Sequence, residues 1–459
     1  MSGSDTSSGS HPPLWRNRNF LSLFAGLFVT NAGDSLYSVA TMWLVFELSN
    51  STFLTGVANS LLLLPFLVQI VAGPIVDRFP VQRVLLVSQA VQGAVVLVLP
   101  LAASTGHLST GLILVTVPVL SVMTVVTDPA RASIVPRIVA DHQLSRGNSA
   151  LATVSLGLDM VFDALGGAFV AVFGATALFL LDSATFAVAA LLFVSMSVPA
   201  ADDTDTATSG SEPEGVDSST ETTDTQPSVR SVLAAYVADL RGGVDTLRGT
   251  LFVDTLFTTA VSNFAVGVTL AVLPAYGALV GGPTAHGGLV SGPTAYGLLL
   301  GALGVGRLVG SVIAPRLKTL PLGQLTAVSF TAGSLLWLGS VLVSSTLLTV
   351  VLFGLAWIGA GANGVLVSTV NQRVFPTDVL GRVTAIKGTA ASATLPVGSL
   401  VGGTVAVIVG PSTTVALAAG GFGFVGLYHA LRTPLRRLPA TSDISAADFG
   451  LELEPEDTG

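Results

Sequence analysis

Cysteine is absent from the 459 residues, which excludes disulfides, iron–sulfur clusters and thiolate metal sites. Charge is scarce. Only 10% of residues are Asp, Glu, Lys or Arg while 51% are hydrophobic, against about a quarter charged in soluble domains. Lysine is nearly missing, present only as Lys318 and Lys387. The chain has no Walker loop, no Ser-centred elbow, no His cluster and no acidic pair with His at metal spacing. It is therefore not expected to be an enzyme, to couple to ATP, to hold a cofactor or metal, or to bind nucleic acid. The N-terminus lacks a basic segment followed by a short apolar run and a cleavage site, so the first apolar stretch, from Phe20, reads as a mature helix.

What the chain has is long apolar runs. Phe53 to Val76, Leu112 to Val126, Ala175 to Val198 and Leu347 to Val370 reach or approach the roughly 20 residues that cross a bilayer as a helix. They are apolar on every face, unlike the alternating strands of a barrel. Spans are expected near 20–46, 53–76, 83–103, 109–127, 149–173 and 175–198, then 251–273, 294–314, 321–344, 347–370, 383–409 and 412–431. The expectation is an all-α polytopic membrane protein with twelve transmembrane helices in two six-helix pseudo-repeats.

Charge placement gives an independent check. With the N-terminus inside, Arg16 and Arg18, Arg78 and Arg83, Arg131, Arg137 and Arg146, Arg230, Arg241 and Arg248, Arg316 and Lys318, Arg373 and Arg382, and Arg432, Arg436 and Arg437 all fall on the cytoplasmic side. The other two cations, Arg307 and Lys387, sit within spans. Both termini are expected in the cytoplasm. More than half of the 27 acids collect in a short N-terminal tail, a linker and a C-terminal tail that lack basic residues over the acid-bearing stretches. Such appendages suit a protein adapted to high salt, or an ordinary disordered linker. The expected organisation is a disordered tail over 1–13, a six-helix bundle over 14–198, an acidic cytoplasmic linker over 199–229, an amphipathic interfacial helix over 230–249, a second bundle over 250–435 and a disordered acidic tail over 436–459.

Two six-helix halves around a polar linker suit an internally repeated transporter. Gly73, Asp77 and Arg78 form Gly-x-x-x-Asp-Arg after the second span, with Arg83 following, and the chain also carries Asn17-Arg18-Asn19-Phe20, Gly33-Asp34, Trp43-Leu44-Val45-Phe46-Glu47-Leu48, Pro129-Ala130-Arg131 and Gly381-Arg382-Val383. On these residues it resembles the major facilitator superfamily, of drug:proton antiporter type, and within it the branch of macrolide-efflux and enterobactin-exporter proteins. The fifth span keeps Gly166-Gly167 of the antiporter pattern but not its Gly-Pro. The resemblance implies two halves that rock in alternating access, and helix five against helix eight. It further implies that helices one, four, seven and ten line a cavity, and that Gly73, Asp77, Arg78 and Arg83 latch to the helix-eleven end around Arg382.

Ionisable groups within spans rank as functional candidates because the bilayer disfavours them. Asp34 lies near mid-membrane and shares a face with Asn31 and Tyr37; burial is the condition under which a carboxylate exchanges protons near neutral pH. Asp159 and Asp163 are one turn apart on the fifth span. Asp159 is expected to pair with Arg307, the alternative being that Arg307 reaches toward the cytoplasmic interface. Lys387 binds an anionic group, pairs with Asp77 or reaches water. Asp182 is expected to be structural and Asp254 solvated. Asn31, Tyr37, Phe257, Asn263, Phe264, Trp357 and Asn363 are the cavity candidates, an aromatic surface with sparse amides. The combined expectation is a monomeric secondary transporter in the cell membrane, exporting amphipathic small molecules in exchange for protons. Uptake by symport, lipid or siderophore transport, and a non-transporting sensor are the alternatives.

Overall fold

Away from water, a helix satisfies every backbone N–H and C=O within its own segment, so apolar runs of this length fold as helices. The structure is a computed structural model and describes residues 13–65, 80–196, 249–282, 290–375, 388 and 392–450. Side chains at 128, 132, 141, 153, 155–160 and 164 lie outside the description. The helices are α1 (Arg18–Ser49), α2 (Thr52–Leu62), α3 (Val81–Ser104), α4 (Thr110–Ile138), α5 (Asp141–Phe173) and α6 (Ala175–Val194). They continue with α7 (Leu251–Val280), α8 (Gly292–Leu317), α9 (Leu322–Leu342), α10 (Thr346–Val374, broken at Trp357), α11 (Thr394–Val409) and α12 (Pro411–Leu431). Eight of these, α3, α4, α6 to α10 and α12, are long and apolar enough to cross a membrane. Among the described residues the chain is all-helical apart from an isolated bridge between Pro321 and Ala440.

The helices begin and end where local chemistry dictates. Asn17 caps α1, its side chain accepting from the backbone N–H groups of Asn19 at 3.0 Å and Phe20 at 3.2 Å. Equivalent caps recur between the halves. Ser109 opens α4 by accepting from Leu112 N at 3.3 Å, and Ser345 opens α10 by accepting from Leu348 N at 3.4 Å. Pro80 before α3 and Pro321 before α9 have φ, ψ of −57°, 117° and −57°, 116°. Gly174 between α5 and α6 and Gly410 between α11 and α12 turn the chain at φ 79° and 84°, a region glycine enters without steric penalty.

Packing repeats in the same way. Helices α1 and α3 flank α6 as α7 and α9 flank α12, and α1 meets α5 as α7 meets α11. The halves join chiefly through α5 against α8 and α2 against α11, pairs that interchange when the halves are exchanged. Both seams are backbone-close. A Cβ on Gly56 would meet Ser399 O at 2.6 Å and Gly403 Cα at 3.0 Å, and one on Gly167 would meet Gly297 Cα at 2.6 Å. Small residues permit such approach between membrane helices.

The core is asymmetric along the helix axes. At the end away from the termini one apolar cluster runs through both halves, including Tyr37 and Trp43 of α1, Phe179 of α6, Val272 of α7, Tyr296 of α8 and Trp337 of α9. At the end bearing the termini it divides. Phe20, Leu85, Ile134 and Phe193 form one cluster in the first half; Phe252, Leu322, Leu366 and Val374 form another in the second. The second also takes in Leu435, Leu438, Ile444 and Phe449, because residues 433–450, assigned from the sequence mostly to a disordered tail, fold back as a strap. Leu322 N donates to Pro439 O at 3.0 Å, and the Arg373 guanidinium donates to Ser442 O at 2.8 Å and Thr441 O at 3.2 Å. The expected acidic linker and nearly all of the amphipathic segment over 230–249 lie outside the described residues.

Candidate functional site

At the divided end, the second half encloses a cavity of about 400 Å³ among α7, α8, α9, α10 and α12. Its wall is polar where the helices face inward: Ser262 and Asn263 from α7, Arg307 from α8, Asn363 and Ser368 from α10, His429 from α12. Trp357 and Phe330 supply an aromatic side, and Leu438 of the strap lines it as well. Thr326 Oγ1 donates to Asn363 Oδ1 at 2.8 Å, so the acceptor end of that amide is occupied and its N–H groups remain to bind. The hydroxyls of Thr258 and Thr259 donate to carbonyls of their own helix and so present lone pairs. A second recess, of about 440 Å³ between α8 and α10, opens beside Ser311, Thr369 and Gln372 and shares Arg307 with the first.

Tight helix packing fixes Arg307. The α10 backbone lies where side chains on α8 would otherwise go: a Cβ on Gly310 would meet Ala362 N at 2.7 Å, and one on Gly361 would meet Arg307 Cα at 2.7 Å. Among the described residues Arg307 makes no ion pair. Asp159, its expected partner, has its side chain outside the described residues. Asp163 is half-buried on α5, close enough to Tyr296 of α8 to act on it electrostatically across the seam.

A second polar cluster lies within the first half. Asp182 of α6 is 1% exposed, accepts from Thr185 Oγ1 at 3.2 Å and leaves its Oδ2 without a hydrogen bond. It sits directly against Gly33 of α1, beside the half-buried Asp34. The Tyr37 ring packs on Phe179 with centroids 5.7 Å apart, and the Tyr37 and Thr41 hydroxyls are buried without partners. Sequence reasoning named Asp34 and Tyr37 here but set Asp182 aside; its proximity to residues about 150 positions earlier leaves no local signature.

Of the other candidates, Asn263, Trp357 and Asn363 join Arg307 on the cavity, although Trp357 is 1% exposed and packs on Trp337 and Phe422 at 5.0 and 5.1 Å. Phe257 does not line it: it is 47% exposed and meets Phe424 and Tyr428 of α12 edge-on. Phe264 packs where α7 meets α11, and Asn31 is half-buried on α1. Arg83 is exposed in the first turn of α3; Gly73, Asp77, Arg78, Arg382 and Lys387 lie outside the described residues. Asp254, expected to be solvated, ties α7 to α12, accepting from Tyr428 Oη at 2.5 Å and from Arg432 Nε at 3.4 Å.

Three hydrogen bonds tie the halves at the undivided end. Thr52 Oγ1 donates to Gly403 O at 3.0 Å, Thr55 Oγ1 to Ala271 O at 2.7 Å, and Asn59 Nδ2 to Ser399 Oγ at 2.8 Å. Trp43 of α1 stacks on Tyr296 of α8 at 6.4 Å nearby.

The sequence profile of the Major Facilitator Superfamily matches residues 23–393. The multidrug efflux pump Tap of Mycobacterium bovis (strain BCG / Pasteur 1173P2) is 30% identical over 197 residues, 40% of this chain and 46% of that protein; Tap of Mycobacterium tuberculosis (strain CDC 1551 / Oshkosh) matches equally. The matched stretch thus spans about half the length of these relatives. Among solved structures, the nucleoside transporter NupG aligns over 90% of this chain and 98% of its own, with TM-score 0.65 and 10% identity. A bacterial homologue of the human lysosomal transporter Spinster, inward-facing and unoccupied, aligns over 96% and 99%, with TM-score 0.61 and 13% identity. At these identities the structures establish the fold alone.

Proposed function

Because the chain belongs to the Major Facilitator Superfamily of multi-pass membrane transporters, we propose that it exports amphipathic small molecules from the cell in exchange for protons, by alternating access of its two halves. The observation that carries this reading is the axial asymmetry: apolar core and three hydrogen bonds close the halves at one end, while the core divides and a polar cavity opens at the other. That is the form of one state of a two-state carrier, with the described lining of its cavity supplied by the second half. Twelve crossings of the cytoplasmic membrane with both termini inside would make the divided end cytoplasmic and this state inward-facing. The similarity to Tap supports export as the direction.

Proton coupling is assigned to carboxylates within the helices: Asp34, now with Asp182 against its helix, and Asp163 with Asp159 on α5 at the seam with α8. A carboxylate there can carry a proton through the membrane interior and release it when the halves rearrange. The test is a proteoliposome loaded with a pH-sensitive dye, with candidate cargo added under an imposed proton gradient. Antiport predicts that cargo added against the gradient moves protons the opposite way. Transport of cargo without proton movement ends the antiport reading, and accumulation on the cytoplasmic side replaces export with uptake.

A further inference from the structure

We infer that the cavity in the second half is a docking pocket for an anionic group, a carboxylate or phosphate on an otherwise apolar molecule, with Arg307 as its counter-ion. Arg307 is an interior residue of α8, ten residues before the helix ends at Leu317, which is about 15 Å along the axis. The side chain is exposed there, not closed off by its neighbours. It opens on both polar recesses of this half. A guanidinium among membrane helices needs anionic or hydrogen-bonding company and by default marks a functional site; among the described residues no carboxylate pairs with it.

The rest of the wall sets neutral polar groups around that cation, the lone pairs of Thr258 and Thr259 among them. Among the described residues it carries no carboxylate. Asn363 lines the cavity with its oxygen already accepting from Thr326 Oγ1. Ser262 and Ser368 add hydroxyls to the lining. The close contact of Gly361 with the Arg307 backbone fixes the point on α8 from which the cation reaches the cavity. The half-buried Ala360 and Val367 provide the apolar wall for the remainder of the ligand. The inference rests on the export reading only in making the bound molecule its cargo.

The test uses the full chain in phosphatidylcholine nanodiscs and three probes of one shape: 1-naphthoate, 1-naphthamide and 1-naphthylmethylammonium, with binding read by calorimetry. The expected order places naphthoate roughly tenfold or more tighter than the other two, the scale of a charge-assisted bidentate contact. Arg307→Gln should remove that preference while leaving naphthamide affinity unchanged, and Arg307→Lys should restore part of it. Equal binding of all three probes to the parent protein overturns the pocket, even if the Gln variant fails to fold. So does equal loss of naphthoate and naphthamide in a folded Gln variant. Repeating the titration with phosphatidylglycerol in the disc separates two sources of the anion: competition identifies a lipid headgroup, and its absence a soluble ligand, either of which upholds the site. Charge-selective binding without naphthoate efflux from proteoliposomes would remove the export reading and keep the pocket. Efflux indifferent to charge would do the reverse.

Discussion

Removing the three hydrogen bonds that hold the halves together at the undivided end should shift the carrier toward its opposite state. Thr52→Val and Thr55→Val keep the side-chain volume and delete the hydroxyl; Asn59→Leu does the same for the amide. The acceptors Gly403 O and Ala271 O lie within helices, which spares them a complete loss of bonding, and only Ser399 Oγ loses its sole donor from across the seam. Interhelical hydrogen bonds in membranes average about 0.6 kcal/mol each, so the triple variant loses about 2 kcal/mol from the present state. That corresponds to roughly a 25-fold change in the equilibrium. The chain has no cysteine, so spin labels at two introduced cysteines report without background. Thr105 at the end of α3 and Leu342 at the end of α9, both exposed, lie at that end on opposite halves. Double electron–electron resonance should show a longer-distance population growing by about that factor. A distribution that changes less than twofold would refute the assignment of these bonds as the closure.

Gly310→Leu places a side chain where Ile358 O and Ala362 N sit; overpacking of this kind costs about 1–3 kcal/mol, so the detergent-solubilised protein should melt measurably lower, whereas Val312→Leu, at a site 61% exposed, should melt like the parent. Asp182→Asn retains the bond from Thr185 and should leave thermal stability near the parent value, yet flatten the pH dependence of transport measured in proteoliposomes; an unchanged pH profile would move coupling to Asp34 or to α5. Arg373→Ala frees two carbonyls of the strap, a loss of about 1 kcal/mol, so limited proteolysis within 436–450 should quicken roughly fivefold while cuts elsewhere keep their rate.

The helices were legible from the sequence because membrane insertion writes itself into composition: each expected span overlaps a helix, although those over 53–76, 175–198 and 321–344 overrun helices that end at Leu62, Val194 and Leu342, and α4 and α5 run longer than their apolar stretches, through Ile138 and from Asp141. The repeat was faint for a physical reason. It is carried by backbone geometry at Pro80 and Pro321, Ser109 and Ser345, Gly174 and Gly410, residue types common enough to pass unnoticed. The cavity was half legible. Thr255, Thr258, Thr259 and Ser262 stand at helical spacing on one face of α7, yet hydroxyls on membrane helices so often bond their own backbone that the stripe carries little weight alone. Phe257 was assigned by membership of α7, without regard to which side of that helix it occupies. The strap was hidden by average composition, since Leu435, Leu438, Ile444 and Phe449 are spaced too irregularly for a periodic signal.

The two seams between the halves bear on how quickly the protein can work. Within the second half the interlocked rings of Trp337, Phe353, Trp357 and Phe422 cannot pass one another without leaving their rotamers, so that half moves as one piece. At Gly56 against Gly403, and Gly167 against Gly297, backbone meets backbone, so once the hydrogen bonds of Thr52, Thr55 and Asn59 are released no bulky side chain at these contacts has to be unlocked for one surface to travel over the other. These contacts behave as bearings, firm against separation yet low in resistance to rolling. A methyl group added at Gly56 or Gly167 would meet backbone of the other half at 2.6 Å and prise the bearing apart.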